Sequence, residues 1–128
     1  MASLSQPHLS IKLLSGTSNA EVTATVNVSL TQFELNLVKN LGLKFKLRCQ
    51  LRGADSGFNG ADDDLFTYTG KSILAGGTST FKATMSRNTL DEDWVGDDEV
   101  YARFTLQSAE PIFPLVLTTD SPIITGSF

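Results

Sequence analysis

A chain of 128 residues can enclose one hydrophobic core and is too short for two. Its 41% apolar and 19% charged residues argue against a disordered polymer, and a net charge of −4 disfavours a general nucleic-acid binder, which needs a dominant positive field. With Cys49 as the lone cysteine no intrachain disulfide can form, and no apolar run reaches the roughly 18–20 residues of a membrane-spanning helix.

Residues 1–7 lack the basic start and apolar stretch of a secretory leader, which favours the cytoplasm over export. They read as a flexible N-terminal segment. From Leu9 onward the dominant signal is alternation with period two, which sends successive side chains to opposite faces of a strand. Leu9, Ile11 and Leu13 alternate with Ser10 and Lys12; then Val22, Ala24, Val26, Val28 and Leu30 alternate with polar neighbours. Residues 31–42 admit two readings. Thr31 and Glu34 have capping-box spacing and Gly42 sits where a helix ends, with Phe33, Leu37 and Leu41 on one helical face. Alternatively, Phe33, Leu35 and Leu37 continue a strand with shifted parity beyond a bulge.

The clearest alternation follows, with Leu43, Phe45, Leu47, Cys49 and Leu51 against Lys44, Lys46, Arg48, Gln50 and Arg52. Residues 65–74 read as a strand interrupted near Gly70. Phe81, Ala83 and Met85 form the inward set of another, and Val100, Ala102, Phe104 and Leu106 that of a fifth. Pro111 and Pro114 lack the N–H of a central ladder, so 112–117 belongs to an edge or bulge, and 122–128 reads as a short last strand.

Strands with one dry and one wet face are the habit of antiparallel sheets, and two such sheets must close on each other about 10 Å apart. The expected fold is therefore all-β: one domain over residues 1–128, an antiparallel β-sandwich of about seven or eight strands. It is immunoglobulin-like by strand count, with one short helix near 31–41 as the alternative to a continued strand. The Cys–Trp–Cys spacing of true immunoglobulin domains is absent.

Ten of the fourteen acidic residues lie in two segments, 55–64 and 91–99. Clustered carboxylates with Gly and Asn are how loops supply the six to eight oxygens that Ca²⁺ takes. Asp55, Asp62, Asp63, Asp64, Asp91, Asp93, Asp97 and Asp98 are the candidate ligands. The EF-hand pattern fails, because the third position from Asp55 is Gly57 and Phe66 occupies the place of the closing Glu. The plainer reading, which is favoured, is that these residues form turns and solvate the surface. Trp94, with the outward Tyr101, could offer a stacking surface for a carbohydrate; a Trp plugging one end of the sandwich is favoured over that.

Lys44, Lys46, Arg48 and Arg52 place four of the ten cations on one outward strand face. They suit an anionic partner, or, as the plainer and favoured reading, cross-strand pairing and edge protection. His8 is the lone histidine, so Ser–His–Asp, Cys–His and zinc arrangements have no basis. The chain is expected to be a non-catalytic module for protein–protein interaction or assembly, with a protein partner or a second copy of itself. The alternative is a Ca²⁺- or carbohydrate-binding module built on the acidic loops. No cofactor other than Ca²⁺, no nucleic acid and no membrane is expected.

Overall fold

The computed structural model describes residues 2–53, 63–86, 98–108 and 116–126, with the backbone alone at 63, 64, 98, 125 and 126. Nine strands and one helix follow each other along these segments. They are β1 (Ser3–Leu13), β2 (Asn19–Ser29), α1 (Gln32–Leu41), β3 (Phe45–Gly53), β4 (Asp63–Thr67), β5 (Lys71–Ile73), β6 (Gly77–Ser86), β7 (Asp98–Ser108), β8 (Val116–Asp120) and β9 (Ile124–Gly126). All pairings are antiparallel. One sheet has the order β1-β2-β6, the other β4-β3-β7-β8, with β5 also on β3 and β9 also on β7. Since β4 with β5, and β8 with β9, are each an interrupted edge, the nine strands fill seven positions. The fold is an all-β sandwich.

The centre of each sheet explains the depth of the core. β2 lies between β1 and β6, and β3 and β7 lie side by side in the larger sheet, so their inward faces meet no solvent. Val22, Ala24 and Val26 face Phe45, Leu47, Cys49 and Leu51, with Val100, Ala102, Phe104 and Leu106, all at 0–1% exposure. Every one belongs to an inward set expected from alternation. Burying each Val, Leu or Phe side chain of this set stabilises the fold by about 1.5–3 kcal/mol.

The ambiguous stretch is helical, because its two ends are chemically closed. Thr31 is the N-cap: its hydroxyl accepts the Glu34 N–H while the Glu34 carboxylate accepts the Thr31 N–H at 2.9 Å. At the other end Gly42 adopts φ 68°, which only glycine takes without strain, and its N–H and that of Leu43 both turn back to the Leu37 carbonyl. The buried side is only partly the expected one. Of the expected face, Phe33 and Leu41 are 63% and 69% exposed and Leu37 alone packs against the core, where Val38 and Glu34 join it.

The N-terminal segment also departs from expectation. Ser3, Leu4 and Ser5 pair with Ser29, Val28 and Asn27, and residues 3–7 are part of β1. Ala2 is buried and donates its N–H to Glu34 Oε2 at 2.9 Å, so the capping residue of the helix also fastens the start of the chain. β1 carries one extra residue between Ser5 and His8, where Gln6 takes φ 50°. That bulge lets β1 stay paired past Pro7.

Candidate functional site

The basic stripe lies on the outward face of β3, as alternation requires, and tertiary structure supplies its neighbours. Lys46 stands opposite Gln107 of β7 and Ser72 of β5; Arg48 opposite Thr105; Gln50 opposite Arg103 and Thr67; Arg52 opposite Tyr101 and Asp64. Lys44 precedes the strand and is exposed. The expected acidic cross-strand partner is therefore missing at Lys46 and Arg48. Among the described residues, neither makes a hydrogen bond or ion pair. Lys46 turns away, its stem lying over Gly70. Arg48, Gln50, Thr67, Arg103, Thr105 and Gln107 together line a polar hollow of about 200 Å³.

Arg103 is the rigid wall of this hollow. Its Nε donates to Asp120 Oδ1 at 2.9 Å and its second nitrogen to Oδ2 at 3.2 Å, a bidentate pair across β7 and β8. Its guanidinium lies 5.7 Å from the Tyr101 ring centre. Tyr101 is outward by parity, yet it is buried, 5% exposed, and offers no stacking surface. Long cationic side chains cover an outward ring in this way by laying their stems along it.

The acidic candidates Asp55, Asp62, Asp91, Asp93 and Asp97, with Trp94, lie outside the described residues. Asp63 and Asp64 begin β4 and Asp98 begins β7. Gly53, the last residue of β3, pairs with both Asp63 and Val100, so the strand ends that adjoin the two acidic segments share one end of the larger sheet. Among the described residues no three Asp, Glu, His or Cys side chains group as metal ligands would.

A second surface was not visible in the sequence. β6 is the margin of the smaller sheet and β4–β5 that of the larger, and a groove of about 410 Å³ separates them. Phe66, Phe81 and Ala83 contribute its apolar surface, with Lys71 and Lys82 on its flanks. Phe66, Tyr68, Phe81 and Phe104 form a chain of rings with centroid spacings of 5.1, 5.7 and 6.3 Å. Lys71 crosses the groove and donates to the Thr80 carbonyl. That carbonyl therefore points away from β2, and by the strand period so do the backbone groups of Thr78, Lys82 and Thr84.

Cys49 and Tyr68 are both held in their neutral forms. Burial pushes the Cys49 thiol up to about 12, and the thiolate is the reactive form. Burial likewise raises the Tyr68 phenol, helped by the nearby Cys49. Among the described residues no helix is long and apolar enough to cross a membrane.

No family model matches the chain, and no curated protein resembles it. Its likenesses are to solved structures. A protein from Archaeoglobus fulgidus superposes with a TM-score of 0.51 at 11% identity, over 98% of each chain. The alkylpurine DNA glycosylase AlkC of Pseudomonas fluorescens, in complex with DNA containing an abasic site analog, gives 0.44 at 10% identity, over 94% of this chain and 29% of that one. A β-glucosidase from Bifidobacterium adolescentis gives 0.44 at 13% identity, over 96% of this chain and 17% of that one. The first likeness is one of fold alone, and the other two are too loose to carry any argument.

Proposed function

We propose that the chain is a non-catalytic interaction module that accepts an extended segment of a partner protein along the β6 edge. The observation that carries this reading is a contrast among the sheet margins. β1 is broken by a bulge at Gln6 and Pro7, β4–β5 by residues 68–70, and β8–β9 by residues 121–123. β6 runs in unbroken register with β2 from Gly77 to Ser86. Interrupted edges resist strand addition, whereas a long regular edge favours it.

The groove sets the chemistry of the partner. Alternate side chains of an added strand would drop onto Phe66 and Ala83, while the intervening ones meet Lys82 and Lys71. The fitting segment therefore alternates apolar and acidic residues. It must displace the Lys71 ammonium from Thr80, and a carboxylate would compensate that loss. A free, buried Cys49 is in keeping with a reducing, cytoplasmic setting.

Selection from a random peptide display library tests the reading. Binders rich in alternating apolar and acidic residues are expected, with amide shifts at Thr78, Lys82 and Thr84. Thr84→Pro, which removes an outward N–H and spares the ladder to β2, should abolish binding. Peptides that map elsewhere, or bind Thr84→Pro undiminished, would overturn it.

A further inference from the structure

The outward hollow on β3 and β7 is separate from the β6 edge and has a composition of its own. Every side chain that lines it can donate a hydrogen bond: two guanidinium groups, two amides and two hydroxyls. Arg103 is committed to Asp120, which leaves Arg48 as the cation able to accept a new partner. Gln50, Thr105 and Gln107 are half-buried, and among the described residues their side chains hold no hydrogen bond to the protein. A patch that merely solvated the sheet would not need two amides and two hydroxyls converging beside one free guanidinium.

We propose that this hollow binds a single phosphate group carried on a small polyhydroxylated molecule. Arg48 takes the phosphate, for which its planar fork has the matching geometry. Gln50 and Gln107 both donate and accept, as neighbouring hydroxyl groups require, and Thr67 and Thr105 add hydroxyls at the walls. Asp120 limits the anion to one group. Its carboxylate stands in the row beside Arg103, and a second phosphate extending that way would meet like charge. The protein's net charge of −4 likewise disfavours a polyanion. A single phosphate on a neutral, hydroxyl-rich body satisfies both conditions.

Isothermal titration of the full chain with glucose 6-phosphate, inorganic phosphate and glucose tests the proposal. Glucose 6-phosphate is expected to bind about tenfold more tightly than inorganic phosphate, and glucose not measurably. Arg48→Gln should weaken both anions by about tenfold or more, the loss of one charge-assisted contact. The double variant Gln50→Ala with Gln107→Ala should weaken glucose 6-phosphate to the level of inorganic phosphate and leave the latter unchanged. Lys12→Gln, on the opposite sheet, should alter neither. Absence of anion binding, or binding that survives Arg48→Gln, would overturn the site. Equal affinity for the two anions in the unaltered protein would overturn the hydroxyl-bearing ligand.

Discussion

Tyr68 donates its phenolic hydrogen to the backbone carbonyl of Val22 at 2.9 Å, joining the margin of the larger sheet to the central strand of the smaller one. The bond is buried and enclosed by rings, with Phe66 edge-on at 5.1 Å and Phe81 at 5.7 Å. Tyr68 also donates its own N–H to the Cys49 carbonyl at 3.0 Å, which holds it against β3 where β4 stops. One residue thus spans both layers beside the β6 groove.

Tyr68→Phe keeps the ring and removes the bond. It should cost about 1 kcal/mol, typical of one intramolecular hydrogen bond, and leave the spectrum of the folded state unchanged. Urea unfolding read by far-ultraviolet circular dichroism measures it.

The Cys49 thiol gives a dependence on alkaline pH. Its value rises from 9.0 to about 12 on folding, so the native state resists ionisation that the unfolded chain accepts. Its contribution is fully present below about pH 9 and is lost as pH rises toward 12, with a slope of at most about 1.4 kcal/mol per pH unit. Cys49→Ala should flatten the fall between pH 9 and 10, below the ordinary range of the Tyr68 phenol. Unfolding midpoints across that interval decide the matter.

Glu34 gives the complementary dependence on acid. Burial opposes its charge, but the Thr31 N–H and hydroxyl and the Ala2 N–H outweigh burial and hold its carboxyl below the usual value. Its contribution is therefore present above the ordinary carboxylate range and is lost as pH falls through it. Glu34→Gln places an amide donor against one of these N–H groups. It should cost about 1–2 kcal/mol at neutral pH, and the difference from the parent should shrink in acid. Urea titrations at neutral and acid pH would show it.

Gly42 isolates a backbone effect. A methyl group at that position would meet nothing within 4 Å, while φ is +68°. Gly42→Ala should lose about 1 kcal/mol through left-handed strain alone, and Gly42→Asn less. Thermal denaturation of the pair compares them directly.

The faces of α1 and β7 predict opposite outcomes for one substitution. Phe104 is fully buried and Phe33 is 63% exposed. Phe104→Ala should cost about 3–5 kcal/mol, whereas Phe33→Ala should cost no more than about 1 kcal/mol. Denaturant midpoints for the two variants test which side of the helix faces the core.

The inward sets of β2, β3, β6 and β7 were legible because alternation is a property of neighbours in the chain. The two ends of a helical reading were legible for the same reason: Thr31 acts on Glu34 three residues on, and Gly42 closes back on Leu37 five residues before it. Burial of Phe33 was misjudged because helical spacing defines a face without saying which face meets the sheet. Tyr101 shows the same limit in a strand. Parity places it outward correctly, but its covering by Arg103 depends on side chains that reach across the surface.

The sequence by itself determined the inward sets of the central strands β2, β3 and β7, where a helix over residues 31–42 would start and stop, and that Arg48 and Arg103 face the solvent side of their strands. Only tertiary structure decided that β3 lies beside β7, which brings Arg48, Gln50 and Gln107 to one hollow, and that β6 is a continuous margin while the other edges are broken. Local preferences act over a few bonds, whereas strand order is settled by how two whole sheets bury their inward faces. No short stretch of chain encodes that choice.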